Sequence, residues 1–150
     1  MICAMKRYRL TPLRRLVNAL AGAAIRIGLP PAHRYLLTVA GRKSGARRTT
    51  PVSIIRRGPD RWLVAPYGEV GWVRDARVAG VVELERAGRR ERCAIRETDS
   101  NEAGEVLKLY MTLEPITQPF FSARPSDGPS RFAAEAARHP VFRLSAAAAS

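Results

Sequence analysis

Leu37-Thr38-Val39-Ala40-Gly41-Arg42-Lys43-Ser44-Gly45-Ala46-Arg47-Arg48-Thr49-Thr50-Pro51-Val52 reads as an apolar strand, a tight glycine-bounded loop and a second strand. The loop and its flanks carry Arg42, Lys43, Arg47 and Arg48, and no acid interrupts them. Glycines at 41 and 45 let the backbone turn with its N–H groups exposed, and the four cations supply charge. Such a loop suits an anionic tail, a phosphate or a carboxylate chain, held at one end of a sheet.

Outward from this hairpin the chain punctuates itself clearly. Strands are expected over Tyr35–Ala40 and Arg48–Arg57, with a third at Arg61–Ala65 after the Gly58-Pro59-Asp60 turn. Gly71–Ala79 has helical character and Gly80 closes it. Val81–Glu85 and Glu91–Glu97 form a hairpin across Ala87-Gly88, with Cys93 and Ile95 alternating against charged neighbours. Ser100 is placed to cap a helix carrying Val106, Leu107, Tyr110, Met111 and Leu113. An irregular proline-rich stretch follows, then a short helix from Arg131 to about Arg138 and a final edge strand at Pro140–Leu144. Residues 145–150 are expected as a frayed tail. Short strands with interspersed helices and no βαβ alternation predict an α+β chain built on a small antiparallel barrel, with helices packed outside. Length and the lack of a linker or internal repeat predict one domain over residues 1–150.

The N-terminal 30 residues hold an amphipathic helix. Thr11-Pro12 opens it; Leu13, Leu16, Val17, Leu20, Ala24 and Ile27 recur at helical spacing; Gly28 and Pro30-Pro31 end it. Packing on the barrel is the expected use of this stripe, because its alanines give little energy for lipid insertion. Peripheral contact with an anionic membrane is the alternative use.

Net charge is +13, and its distribution says more than its size. Residues 1–59 hold 13 Lys and Arg with no Asp or Glu, whereas residues 60–150 hold 13 of each sign. The excess therefore acts locally and attracts anions: nucleic acid, acidic lipid or a polyanionic cofactor. Cys3 and Cys93 are too few for a disulfide framework and lack metal-ligand spacing, which fits a reducing, cytoplasmic setting. His33 and His139 have no Cys, Asp or Glu at metal spacing, so no metal is expected. Ser44 and Ser53 lack a nucleophile-elbow context. The chain offers no self-contained catalytic set, so an enzyme built on it needs a cofactor that carries the reaction.

Gly41-Arg42-Lys43-Ser44-Gly45 followed by Arg48-Thr49-Thr50-Pro51 resembles the signature of the deazaflavin-dependent nitroreductase and quinone-reductase family, which uses coenzyme F420. Gly71-Trp72-Val73-Arg74-Asp75-Ala76-Arg77-Val78-Ala79-Gly80 is similar to a second block of that family, a helix centred on Trp-x-x-Asn. The resemblance implies a split β-barrel and a reductase that passes a hydride from reduced F420 to a quinone, nitro compound or other conjugated electrophile. It implies that Lys43 and Arg48, within the Arg42–Arg48 loop that includes Ser44 and Arg47, meet the cofactor's phosphate or oligoglutamate tail. Thr50, Pro51 and Val52 would lie along the ring or linker, Ala65-Pro66-Tyr67-Gly68 beside it, and Trp72 would support the site. The chain departs from the family at Asp75, which replaces an asparagine and would repel an anionic tail unless paired with Arg74 or Arg77. Tyr67 and Tyr110 are the candidates to hydrogen-bond an acceptor oxygen, the catalytic positions of this reading.

Three alternatives compete with it, one of them a non-enzymatic carrier of the cofactor or of a lipid. A nucleic-acid module would suit the charge, but no helix-turn-helix, zinc-finger or RNA-recognition signature is present and the basic cluster has no interleaved aromatics. FMN in the same barrel is the second cofactor option, although its single phosphate needs fewer cations than four. A second copy of the chain is an expected partner if an open barrel leaves a strand edge exposed.

Overall fold

A computed structural model describes residues 12–147. Thr11, Cys3 and residues 148–150, which figured in the expectations above, lie outside the described residues. The elements run α1 (Pro12–Arg26), β1 (Arg34–Ala40), β2 (Arg47–Arg57), β3 (Asp60–Val64), α2 (Gly71–Ala79), β4 (Val81–Arg86), β5 (Arg89–Glu97), α3 (Ser100–Leu113), a 3-10 turn (Pro115–Phe120), α4 (Pro129–Ala133) and β6 (Val141–Ala146).

The six strands close into an antiparallel barrel in the order β1-β2-β3-β6-β5-β4, with β4 returning to β1 through Leu36–Thr38 and Glu83–Glu85. Alternation sorts each strand into two faces. Leu37, Val39, Val52, Ile54, Leu63, Leu84, Cys93 and Phe142 point inward and fill the barrel. On the other face Ile55, Trp62, Val64 and Val141 form an outer layer that α3 and α4 cover with Val106, Leu107, Tyr110, Met111 and Phe132. Burying one such large side chain contributes about 1.5–3 kcal/mol, and it is the outer layer that holds α3 and α4 on the barrel.

Several expectations change. The last strand is not an edge: β6 lies between β3 and β5 and pairs with both. It also extends into the expected tail, since Ser145 and Ala146 pair with Ala94 and Cys93. Barrel closure recruits these residues through partners some 50 positions away in sequence, which no local pattern encodes. Among the described residues every strand is paired on two sides, so the free edge expected to recruit a second copy is absent. The α3 cap is Asp99, not Ser100: its carboxylate accepts the Glu102 backbone N–H at 2.8 Å. The short helix begins earlier than expected, at Pro129, and ends at Ala133.

Only half of α1 seats on the barrel. Gly22 and Ile25 are buried, and the Ala87 backbone N–H donates to the Ile25 carbonyl at 3.1 Å. Leu13, Leu16, Val17 and Leu20 remain exposed, Leu13 at 70%. Arg86 fastens the α1–β1 connection by donating to the carbonyls of Gly28, Leu29 and Arg34.

Candidate cofactor site

The loop between β1 and β2 is a compact turn. The Gly41 N–H donates to the Ala46 carbonyl and the Gly45 N–H to the Gly41 carbonyl, both at 2.8 Å. Gly45 has φ of +72°, a conformation that favours glycine. Ser44 Oγ accepts the Ala46 N–H at 3.2 Å, so its hydroxyl shapes the turn.

The four cations of this loop fall into two pairs. Asp75, only 3% exposed on α2, accepts the Arg42 backbone N–H at 3.0 Å and its Nη1 at 2.7 Å. The Arg42 backbone bond first, then its guanidinium, hold the Asp75 carboxyl below the ordinary range, and the Arg48 charge adds to this. Asp75 thus finds a partner, but not the Arg74 or Arg77 expected from its own helix: Arg77 is engaged by Glu97 and Glu69. Arg47 Nη2 donates to Glu83 Oε2 at 2.8 Å. Among the described residues no hydrogen bond or ion pair takes up Lys43 or Arg48. The charge presented by the loop therefore rests on those two side chains more than on all four.

β2 leads from Arg48 to a cavity of about 300 Å³. Its wall includes Thr50, Pro51, Val52, Pro66, Tyr67, Trp72 and Tyr110, all expected in a site from the sequence. Ala65 and Gly68 flank it: Ala65 is buried in the barrel, and Gly68 turns the chain at φ of +82°. Trp72 and Asp75 stand three residues apart on α2, so one helix face serves both the cavity and the loop. Trp72 also packs on the barrel core beside Phe142, so its structural and site roles coincide. Tyr67 is 39% exposed and meets Phe120 edge to face at 4.8 Å. Tyr110 is buried, and burial pushes its phenol upward. A wider depression over residues 115–124 is lined by one chain segment alone and opens to solvent, so no second element converges on it.

The cavity also gathers residues that no motif marks. Glu114 follows the end of α3 and is buried. Its Oε1 accepts from His33 Nε2 at 2.7 Å and Arg34 Nε at 3.0 Å, and its Oε2 from Arg34 Nη2 at 3.0 Å. Ser53 Oγ donates to Oε1 at 3.4 Å. Burial raises the Glu114 carboxyl, but the Arg34 and His33 bonds together outweigh it and leave it below the usual range. The proline at 115 was the available signal, since it stops α3 and fixes where the preceding residue lies. His139 is buried too, stacked on Phe121 at 3.9 Å, with Nδ1–H donating to the Pro66 carbonyl at 2.8 Å. It braces the loop that carries Tyr67. Among the described residues no group of His, Cys, Asp and Glu is disposed to hold a metal ion.

Residues 12–117, more than half of the chain, match the model of a family described as F420H(2)-dependent quinone reductase. Among solved structures, one described as a domain-swapped dimer is 16% identical, covers 89% of this chain and 96% of its own, and has a TM-score of 0.56. An F420-H2 dependent reductase (FDR-A) is 19% identical over 75% of this chain and 94% of its own, with a TM-score of 0.53. A FAD-binding protein from Mesorhizobium loti is 11% identical over 87% of this chain and 90% of its own, with a TM-score of 0.50. At these identities the structural likeness shows the barrel fold alone. No curated protein matches the chain significantly.

Proposed function

The chain belongs to the F420H(2)-dependent quinone reductase family, and from that premise we propose that the cavity receives the redox end of reduced F420 together with a quinone, while Lys43 and Arg48 hold the coenzyme's anionic tail. The observation that carries this reading is the two uncommitted cations at one end of β2, with Thr50, Pro51 and Val52 of the same strand on the cavity wall. At about 3.3 Å per residue, a strand from Arg48 to Val52 spans roughly 13 Å, a reach suited to an extended anionic cofactor. The residues present fit the group. Asp75 does not oppose it, because Arg42 already compensates that carboxylate.

When bound, reduced F420 supplies a hydride. The chain's own contribution is to fix the reacting partners and exclude water. Thr50, Pro51 and Val52 form one wall, Trp72 another, and Tyr67 lies where its ring can cover a flat acceptor. Tyr110 is 2% exposed and lines the cavity, so its part is first to shape the pocket. The mouth is apolar on the α1 side: Val17 and Ala21 line the cavity, and Leu13, Leu16 and Leu20 lie exposed on the same helix. That surface favours a lipophilic quinone over a small polar nitro compound. It also suits α1, carried on a segment rich in cations, to rest on an anionic lipid surface from which such a quinone is drawn.

Titration with F420 and with FMN, followed by fluorescence, tests the cofactor assignment. F420 binds more tightly on this reading, because its longer tail reaches both Lys43 and Arg48. Equal or tighter FMN binding would remove it.

A further inference from the structure

The cavity wall opposite the cationic loop holds a cation of its own. Arg34 opens β1 and faces Ser53 across the β1–β2 pair. Glu114 grips it by two nitrogens, Nε to Oε1 and Nη2 to Oε2, each at 3.0 Å. A two-point contact of this kind fixes the plane of the guanidinium, which a single contact would leave free to swing. His33 bonds the same carboxylate at 2.7 Å and steadies it from a second side. Among the described residues nothing takes Arg34 Nη1, and the side chain is 42% exposed although its partner is only 8% exposed. The arrangement is a buried carboxylate holding a guanidinium at the edge of the pocket with one nitrogen unspent.

We propose that Arg34 binds the acceptor oxygen that gains negative charge, and that Glu114 is its positioning residue. The proposal rests on the quinone-reductase reading and deepens it: the acceptor class is one with a carbonyl oxygen that becomes an oxyanion. Reduction by hydride leaves a quinone as a hydroquinone monoanion, with the charge on oxygen and the two electrons drawn from the reduced coenzyme. A proton from water then completes the hydroquinone. A cation already oriented in a partly dry pocket stabilises that charge without first having to reorganise. Neither Tyr67 nor Tyr110 brings a full charge to this wall.

The test is binding of lawsone, a hydroxynaphthoquinone that carries an oxyanion at neutral pH, to the coenzyme-free protein. Neutral menadione and F420 are titrated alongside. Arg34→Gln is expected to weaken lawsone on the order of 10- to 100-fold, to change menadione less and to leave F420 affinity as in the wild type. Arg34→Lys should recover part of the loss, and Glu114→Gln should weaken lawsone by a smaller factor because the cation remains but is no longer fixed. Wild-type lawsone affinity in Arg34→Gln overturns the proposal, as does a parallel loss of F420 affinity, which would assign Arg34 to the coenzyme. If Arg34→Gln does not fold by circular dichroism, Arg34→Lys decides: weaker lawsone binding with menadione retained supports the proposal, because the fork geometry is lost while the charge stays, whereas wild-type lawsone affinity or equal weakening of lawsone and menadione overturns it. Failure of the quinone-reductase reading itself shows separately, as no F420 binding by the wild type.

Discussion

Lys43 and Arg48 share a loop with Arg42 and Arg47 and differ from them in what they touch. Arg42 is spent on Asp75 and Arg47 on Glu83. Replacing Lys43 or Arg48 by Ala should therefore weaken F420 binding by about 1–3 kcal/mol each, while Arg15→Ala on α1 leaves it unchanged. Titration of the three variants checks this, and a uniform small loss would mean a diffuse basic face. Sequence showed the four cations but not their division, because it depends on Asp75 arriving 33 residues later in the chain. The same holds for Glu114, some 80 residues from His33 and Arg34. Its low carboxyl pKa has a consequence for stability. A group whose folded pKa is depressed stabilises the fold above its unfolded pKa and loses that contribution as pH falls through the folded value. The stability gap between wild type and Glu114→Gln should thus be full at pH 7 and shrink below about pH 4. Thermal melts across that range measure it, and a gap that does not narrow in acid contradicts the ion-pair account.

At the level of elements, the strands and turns were legible where the signal is local. The β4–β5 hairpin closes across Ala87-Gly88 and α2 ends at Gly80 as their sequences require. What joins one element to another was not legible, and α3 with α4 shows why. Gly104 lies so near α4 that an added Cβ would stand 2.5 Å from the Pro129 carbonyl oxygen and 2.7 Å from the Ala133 nitrogen. Both are backbone atoms and cannot turn aside. Gly104→Ala should cost about 1–3 kcal/mol by forcing α4 outward, read as a lower melting temperature, and an unchanged melt would show that α4 is not seated there. α1 differs, because its stripe is apolar in sequence yet among its described residues only Gly22 and Ile25 are buried. Replacing Leu13, Leu16 and Leu20 by Ser should leave the melt nearly unchanged and reduce sedimentation with anionic vesicles. Absence of vesicle binding by the intact protein would leave the stripe without that role.

Across the whole molecule, closure of the barrel brings side chains from distant parts of the chain together at one cavity and at the β1–β2 loop. β1 and β2 bring the loop cations and Arg34, α2 brings Trp72 and Asp75, and the end of α3 brings Tyr110 and Glu114. Family membership and the barrel were both readable from two short motifs and the strand spacing, because those features are carried by contiguous residues. The polar wall of the cavity was not, since it exists only after closure. On the proposed reading, the positive charge of Lys43 and Arg48 acts at one end of the site and draws in an anionic coenzyme. The most direct test of this account is oxidation of reduced F420 in the presence of menadione, followed by coenzyme absorbance with wild-type protein and with Arg48→Ala at subsaturating coenzyme. The account predicts oxidation that scales with wild-type protein and falls on the order of 10-fold or more in Arg48→Ala. Oxidation no faster than without protein, or equal for the two proteins, would contradict it.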